Sequence, residues 1–389
     1  MRKLCADTLT LKISEAIRED VREQRLSGAG VLVYQFGEPV CRVYEGFRHV
    51  EAGVPLREGS LFRLASMTKP VTAVAVLMEA ERGALALEDE VAAFLPDFGE
   101  MYVGRMDETG AVVAGQRAER GITVRDLLTH CSGILDGAMG ELQVARESEA
   151  DRRDLESIVH FYAGTYLGFA PREMQMYNGI AAFNVAARIV EITSGMSYRD
   201  YVRRNILDPL GLADMVFVPS EGQWQRLVSM CTQSKEGLRV VEMGRHTFGE
   251  WPLSCFLGGA GLCGTLEDYG VFALMLSQGG VYRGVRILQE QSVAAMRTPY
   301  LPSEKILHPG SILSAEENWG LGVRVVTGDG ATIPKGSFGW SGAYGTHFWI
   351  DPQNEIVVVY MKNTQNSSGA AAETAQVLER IVMESLASD

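Results

Sequence analysis

The run VTAVAVLMEAERGAL at 71–85 restricts the possible folds of this chain more than any other segment. It is apolar on almost every side of a helix, and a helix of that kind is buried inside a core. Gly83 predicts where this helix ends. The chain of 389 residues is longer than one average domain of about 150 residues, so it can build such a core. We expect two lobes, or one domain with a large insertion.

Strand patterns lie towards both ends of the chain, and helical patterns fill the middle. The runs at 30–36 and 41–47 predict a hairpin. Four more strand-like runs precede a last helix, predicted from about Ala370 to Leu386; they are at 320–327, 335–342, 345–352 and 355–362. This order predicts a discontinuous α/β lobe formed by 1–65 and 285–389, interrupted by a mainly helical lobe over 66–284. A site is expected in the cleft between the lobes.

Composition restricts the partners of the chain. The formal net charge of −13 disfavours nucleic acid and anionic membrane surfaces, so small molecules are the expected ligands. No stretch has the roughly 20 apolar residues of a membrane span, and the first residues lack the apolar core of a signal peptide. The six cysteines are scattered, with no spacing typical of metal ligands. We therefore expect a cytoplasmic protein with reduced thiols, no metal and no cofactor.

Ser66 and Lys69 stand directly before the apolar run, in the tetrad SMTK. If Ser66 caps the helix, Lys69 lies one turn later on the same face, within reach of the serine hydroxyl. A serine becomes a good nucleophile when a neighbour takes its proton, and a lysine can do so when burial lowers its pKa. The positive helix N-terminus would favour a developing oxyanion. The tetrad therefore predicts a nucleophile and its base.

The tetrad alone has an ordinary alternative. Ser-x-x-Lys occurs roughly once by chance in a chain of this length, and a serine cap before a polar first turn is common. These residues alone therefore leave open the alternative that Ser66 and Lys69 only begin a helix and have no catalytic role.

Four segments, in order, resemble one superfamily; they are 61–98, TVRDLLTHCSGI at 123–134, 258–280 and FGWSGAYGTHFWIDP at 338–352. The chain resembles the serine β-lactamase and penicillin-binding-protein superfamily, on the branch of class C β-lactamases and family VIII carboxylesterases. The resemblance spans nearly the whole chain, and four ordered motifs are more specific than one tetrad. It implies an α/β (α+β) fold with an antiparallel sheet flanked by helices, a mainly helical second lobe and an active site in the cleft between them.

The resemblance also implies roles for three side chains. In that superfamily the serine is acylated, the lysine assists its deprotonation, and a tyrosine of the helical lobe shares the acid/base work. Ser66 and Lys69 match the first two, and Tyr177 in MQMYNGIAAFNVAARIVE is the best match for the tyrosine. The usual Tyr-x-Asn is not kept, because Asn178 is in the second position and Gly179 in the third. We expect Asn178 to bind substrate, and the alternative for Tyr177 is a half-buried aromatic at a helix start.

A fourth motif bears on the substrate. β-Lactamases and cell-wall peptidases of the superfamily carry Lys-Thr-Gly on a strand beside the site, and its lysine helps to bind the substrate carboxylate. Trp340, Ser341 and Gly342 stand there in this chain, which resembles the Trp-x-Gly of family VIII esterases. Loss of the cation removes a charge-assisted anchor, and tryptophan adds an apolar wall. The resemblance implies that these three residues bind neutral esters, and that the backbone N–H groups of Ser66 and Ala343 form the oxyanion hole.

Two other patterns could suggest a different nucleophile. GWSGA nearly matches the G-x-S-x-G elbow with Ser341 as nucleophile, but that elbow needs a strand, a turn and a helix. The segment SFGWSGAYGTHFWI predicts a strand, a turn and a second strand. His130 and Ser132 in LLTHCSGI could form a Ser-His pair, but adjacent polar residues at a helix end are more often caps.

The expected function is that of a serine hydrolase, a carboxylesterase that cleaves small carboxylic esters through a covalent acyl-enzyme. Three alternatives use the same chemistry, namely a β-lactamase, a D-amino-acid peptidase and an acyltransferase. A non-catalytic binding or sensor module that keeps the fold is a further alternative. The presence of Ser66, Lys69 and Tyr177 argues against such a module.

Overall fold

The structure is a computed structural model that describes residues 2–234, 237–301, 312–365 and 373–386. Its helices, in chain order, are α1 (Ala6–Arg22), α2 (Thr68–Glu81), α3 (Val124–Leu128), α4 (Gly137–Val144), α5 (Leu155–Ala163), α6 (Ala181–Ser194), α7 (Tyr198–Val202), α8 (Asp208–Leu210), α9 (Glu221–Trp224), α10 (Leu266–Ser277), α11 (Glu290–Met296) and α12 (Glu373–Glu384). Short 3₁₀ turns cover Ala65–Met67, Val91–Ala93 and Pro96–Phe98, and a π-helical turn covers Arg203–Leu207. The predicted last helix is present, and 370–372 of its predicted range lie outside the described residues.

The strands, in chain order, are β1 (Gly28–Gln35), β2 (Glu38–His49), β3 (Val54–Pro55), β4 (Phe62–Arg63), β5 (Tyr102–Met106), β6 (Val112–Arg117), β7 (Cys231–Ser234), β8 (Gly237–Val240), β9 (Cys263–Gly264), β10 (Val281–Tyr282), β11 (Val285–Arg286), β12 (Glu317–Trp319), β13 (Arg324–Val326), β14 (Phe338–Ser341), β15 (His347–Asp351), β16 (Ile356–Met361) and β17 (Thr364–Gln365). Among the described residues, eight of them form the main sheet, in the order β12-β13-β14-β15-β16-β1-β2-β3. Neighbours in this sheet are antiparallel.

The main sheet joins the two ends of the chain. β1 pairs with β2 as the predicted N-terminal hairpin, and on its other edge it pairs with β16 from the C-terminal part. The expected antiparallel sheet is therefore confirmed, with strands from both termini. Helix α10, at 266–277, packs on β1, β15 and β16. The division into lobes at residues 65 and 284 stays a prediction.

Each face of the sheet is covered by helices. Along β1, Val31 and Val33 lie in a core cluster with residues of α1 and α12, whereas Leu32 belongs to the larger cluster on the other face. Successive side chains of a strand point to opposite faces, so a strand that is apolar throughout is buried on both sides. The sheet is thus a central layer between two helical layers.

Helix α2 runs through the larger core, as its all-round apolar sequence predicts. Every residue from Thr68 to Leu77 is buried, and α2 packs against α6. Its buried Glu79 accepts hydrogen bonds from the Tyr201 hydroxyl at 2.7 Å and from Arg82 at 2.8 Å, which compensate for its loss of hydration. The core therefore fixes the position of the first turn of α2, where Lys69 lies.

The sequence also predicts reduced thiols, no metal site and no membrane span. All six cysteines are free. In the described ranges, no cluster of three or more His, Cys, Asp and Glu side chains has a geometry suited to a metal ion. No helix in the described part of the chain combines the length and apolar content needed to cross a bilayer.

Candidate active site

Ser66 lies at a sharp turn between a strand and a buried helix. Strand β4 ends at Arg63, the 3₁₀ turn Ala65–Met67 follows, and α2 starts at Thr68. Ala65 has a φ of 48°, in the left-handed region that residues other than glycine rarely adopt. The sequence left open whether Ser66 caps the helix, and its side chain makes no capping hydrogen bond to α2. The turn keeps the hydroxyl free for other partners.

Lys69 lies under Ser66, fully buried on the first turn of α2. Its Nζ is 3.1 Å from Ser66 Oγ, and it donates to the backbone carbonyls of Gly179 at 2.6 Å and Gly259 at 3.0 Å. Burial holds the pKa of Lys69 well below its usual range, because an ammonium group loses its hydration there. A neutral amine has two N–H bonds and one lone pair. With both N–H groups on the carbonyls, the lone pair is left for the Ser66 hydroxyl proton.

Tyr177 approaches the same oxygen from the other side. Its hydroxyl donates to Ser66 Oγ at 2.8 Å. Burial raises the pKa of Tyr177 to about 12, although hydrogen bonds with Ser66 and Trp340 act in the opposite direction. The phenol is therefore protonated at neutral pH and acts as a donor. The structure brings Ser66, Lys69 and Tyr177 together, as the sequence predicts.

Asn178 was expected to bind substrate, but its side chain forms hydrogen bonds within the protein. Its Nδ2 donates to Ile134 O at 2.7 Å and to Asp136 Oδ1 at 3.0 Å, and its Oδ1 accepts from the N–H groups of Ile180 and Ala182. All the hydrogen-bonding capacity of a side-chain amide is used in this way. These contacts argue against the predicted substrate-binding role, and they give Asn178 a role in holding the start of α6.

An aromatic wall stands beside Tyr177. The rings of Trp340 and Tyr177 are 5.2 Å apart, and Trp319 lies 4.5 Å from Trp340 and 6.0 Å from Tyr177. Trp340 lies on β14 as predicted, and its indole N–H is 3.4 Å from the Tyr177 hydroxyl oxygen. Sequence reasoning missed Trp319, and the only signal for it was an isolated tryptophan at a predicted strand start. The wall is apolar and carries no charge.

The turn after β14 contacts the segment that leads into the turn carrying Ser66. Thr346 Oγ1 donates to Leu64 O at 2.8 Å, and a Cβ on Gly342 would lie 2.3 Å from that same oxygen. Only glycine permits so close an approach of two backbones. Ala343, the next residue, is exposed, and its N–H donates to no other backbone group in the described ranges. Both predicted oxyanion-hole residues, Ser66 and Ala343, therefore belong to turns that contact each other.

Ser341, predicted to bind substrate, is buried in a polar group of its own. Its Oγ lies 2.7 Å from His347 Nδ1, and His347 Nε2 lies 3.1 Å from Glu379 Oε1. Glu379 also pairs with Arg324, and these contacts hold the pKa of its carboxyl below the usual value. Because neighbouring strand residues point to opposite faces, the Ser341 hydroxyl points away from the wall that Trp340 forms. These contacts argue against the substrate-binding role of Ser341.

The segment around Ser341 also has the backbone that the sequence predicts. β14 and β15 pair as an antiparallel hairpin, with Ser341 opposite His347. The G-x-S-x-G elbow requires a strand, a turn and a helix, which this hairpin does not provide. In this chain the strand, turn and helix occur at Ser66.

Comparison with known proteins gives a consistent result. The family model described as Beta-lactamase matches residues 13–381. Protein Rv1367c of Mycobacterium tuberculosis (strain ATCC 25618 / H37Rv) is 32% identical over 358 residues, covering 89% of this chain and 88% of the relative. Esterase EstB of Burkholderia gladioli is 28% identical over 391 residues, covering 93% and 92%. The solved structure of "EstCE1, a hydrolase with promiscuous acyltransferase activity" superposes with a TM-score of 0.81 at 22% identity, covering 97% of this chain and 99% of the other.

Proposed function

Because this chain belongs to the Beta-lactamase family, on its serine hydrolase and esterase side, we propose that it is a carboxylesterase that cleaves small neutral esters through an acyl-enzyme on Ser66. The observation that carries the proposal is the position of Ser66 Oγ between Lys69 Nζ at 3.1 Å and the Tyr177 hydroxyl at 2.8 Å. The candidate base and the candidate acid thus each lie within hydrogen-bond distance of the nucleophile.

Acylation starts with the neutral amine of Lys69. The lone pair on Nζ accepts the Ser66 proton as Oγ attacks the ester carbonyl carbon and the carbonyl π bond opens to an oxyanion. The N–H groups of Ser66 and Ala343 donate to that oxyanion. The carbonyls of Gly179 and Gly259 stabilise the ammonium that forms on Lys69, which keeps the proton available for the next step.

Collapse of the tetrahedral intermediate expels the alcohol. The C–O bond to the leaving group breaks, and the alkoxide oxygen takes a proton from Tyr177, whose phenolate is then reprotonated from Lys69. Water attacks the acyl-enzyme by the same steps in reverse. The raised pKa of Tyr177, about 12, suits it to pass on a proton while it remains protonated at rest.

The aromatic wall supports the choice of neutral esters. Trp340 occupies the place of the lysine that helps to bind a carboxylate in β-lactamases and cell-wall peptidases of the superfamily. An indole supplies one N–H donor and a large apolar surface, with no positive charge. An anionic β-lactam would lose a charge-assisted hydrogen bond there, whereas an ester without charge loses nothing.

Transfer of the acyl group to an alcohol is a second candidate. The structural neighbour EstCE1 is described as a hydrolase with promiscuous acyltransferase activity. An alcohol that enters in place of water would attack the same acyl-enzyme, so the residues above serve both outcomes. The cytoplasmic location stays a prediction from the sequence.

A substrate panel tests the proposal. p-Nitrophenyl esters of graded chain length are compared with a chromogenic cephalosporin, with and without an added short alcohol, and intact mass measures trapped acyl-enzyme. We expect rapid turnover of short esters, slow cephalosporin turnover, and an acyl adduct that is absent in Ser66→Ala. Faster turnover of the cephalosporin than of every ester would contradict the proposal, and an ester product of the added alcohol would favour acyl transfer.

A further inference from the structure

Tyr177 lies in a segment that has no regular secondary structure of its own. Residues 174–178 are in neither a helix nor a strand, and α6 starts only at Ala181. Such a segment has no hydrogen-bond ladder to fix its backbone, so other contacts must set the position of the Tyr177 ring. A misplacement of about 1 Å in a reacting group can cost on the order of a hundredfold in rate.

His130 holds the backbone on both sides of Tyr177. Its carbonyl oxygen accepts the N–H of Met176 at 3.1 Å, and its Nδ1 accepts the N–H of Asn178 at 3.1 Å. Its ring also packs against Tyr177, with the ring centroids 4.7 Å apart. One residue therefore contacts the tyrosine ring and the backbone N–H groups of the residues before and after it.

The backbone of His130 indicates that its side chain is needed there. His130 follows the end of α3 with a φ of 57°, and Cys131 N–H bonds back to Asp126 O at 2.9 Å. Glycine is the usual residue at this position after a helix, because the left-handed conformation strains other side chains. An imidazole in this place costs backbone strain, and the hydrogen bond from Asn178 offsets it.

The tautomer of His130 follows from that bond. Nδ1 accepts an N–H, so it carries no proton, and the neutral ring has its proton on Nε2. His130 is fully buried among the rings of Tyr177, Phe183 and Trp319. Burial lowers the pKa of His130 well below its usual range, which keeps Nδ1 an acceptor at neutral pH.

We infer that His130 is a positioning residue, which holds Tyr177 in place for proton transfer with Ser66 through its Nδ1 and its carbonyl oxygen. The inference rests on the proposed function for the role of Tyr177. The placement of the 176–178 backbone by His130 is independent of that function. His130 acts through Tyr177 and takes no direct part in the reaction.

Two substitutions test the Nδ1 acceptor of His130 and its aromatic ring separately. His130→Asn keeps an acceptor near the position of Nδ1 and tolerates a positive φ. His130→Phe keeps the ring and removes the acceptor. We expect His130→Phe to lower kcat for p-nitrophenyl acetate by roughly ten- to a hundredfold with KM little changed. His130→Asn should stay within a few-fold of wild type. If His130→Phe does not fold, His130→Gly removes the same acceptor and relieves the backbone strain.

A double-mutant cycle with Tyr177→Phe shows whether the effect passes through the tyrosine. If it does, the loss caused by His130→Phe should largely disappear in the Tyr177→Phe background. An equal loss in both backgrounds, wild-type activity of His130→Phe, or equal losses in His130→Phe and His130→Asn would each overturn the inference.

Amide hydrogen exchange of the resting enzyme gives a readout that does not depend on catalysis. We expect faster exchange over 174–180 in His130→Phe, and near wild-type exchange in His130→Asn. Unchanged exchange in His130→Phe would overturn the inference. Wild-type activity of Tyr177→Phe would instead refute the proposed role of the tyrosine, and the exchange result would still decide whether His130 holds the segment.

Discussion

The indole N–H of Trp340 points at the hydroxyl oxygen of Tyr177, 3.4 Å away. The distance is long for a hydrogen bond, and the contact favours the orientation in which the Tyr177 O–H donates to Ser66 Oγ. For the proposed mechanism we therefore expect two functions of Trp340, as an apolar wall and as a hydrogen-bond donor to Tyr177. These two functions can be separated by substitution.

Trp340→Phe tests the donor function, because it keeps an aromatic ring and removes the indole N–H. A neutral hydrogen bond contributes about 0.5–1.5 kcal/mol, so we expect kcat for short esters to fall by roughly two- to tenfold. The measurement is steady-state kcat and KM on p-nitrophenyl acetate, beside a thermal melt. A loss that appears only in KM would assign Trp340 to substrate binding alone.

Trp340→Lys tests the choice of ester over β-lactam. A charge-assisted hydrogen bond contributes about 1.5–3 kcal/mol, or about ten- to more than a hundredfold. The ratio of kcat/KM for a cephalosporin to that for a p-nitrophenyl ester should rise by that order, although the lost wall will weaken both reactions. A folded variant whose ratio does not move towards the cephalosporin refutes this explanation of specificity.

Ser66→Ala and Ser341→Ala identify the nucleophile. We expect Ser66→Ala to lose ester hydrolysis by a factor of roughly 10⁴ or more, because no other hydroxyl contacts Lys69 in the described part of the chain. Ser341→Ala should keep most activity and lose thermal stability, because it leaves Nδ1 of His347 without its buried partner, at a cost of about 1–3 kcal/mol. Loss of activity only in Ser341→Ala would reverse the assignment.

The pH profile tests whether Lys69 acts as a base. Activity needs the neutral amine, so kcat/KM should fall as pH drops through the lowered pKa of Lys69. Tyr177, with a pKa of about 12, should stay protonated and cause no loss between about pH 7 and 10. Lys69→Arg should be inactive, since guanidinium keeps its proton. Substantial activity in Lys69→Arg would show that only a positive charge is needed.

Asp136 should weaken the fold as pH rises. Burial raises the pKa of its carboxyl to about 7, and its Oδ2 has no hydrogen-bond partner among the described residues. A carboxyl with a raised pKa in the folded state favours folding below its unfolded pKa of about 3.9, and this contribution is lost as pH rises through about 7. We expect Asp136→Asn to gain melting temperature over wild type between pH 5 and about 8.

Asp151 is a control for this prediction. It is a partly exposed residue of a loop, and hydrogen bonds from Ser148 lower the pKa of its carboxyl. Asp151→Asn should show no such gain as pH rises. An equal gain in both variants would contradict the explanation, because it would reflect net charge rather than burial of Asp136.

The sequence by itself determined the parts of the site that depend on local geometry. Ser66 and Lys69 are three residues apart at the start of a helix, so helix geometry alone brings their side chains together. The strand, turn and strand around Ser341 also followed from local pattern, as did the strand position of Trp340. The hydrophobic repeat of a strand is 2 residues and that of a helix is 3.6 residues. Such a repeat predicts contacts between residues that lie within a few positions of each other in the sequence.

Tertiary structure decided the contacts between distant parts of the chain. Gly179 and Gly259 contact Lys69 through backbone carbonyls, which no side-chain pattern reveals. Asn178 was predicted to bind substrate, and its amide is instead used up by the loop at 134–136 and the start of α6.

The hydrogen-bonded group of Ser341 and His347 could not be predicted from the sequence either, because its third member, Glu379, comes from the last helix. Such pairings depend on how the helices pack on the sheet. Many residues of the helices and of the strands set that packing jointly. A local sequence pattern shows only whether a residue belongs to a helix or to a strand, and it does not show which distant residues will meet.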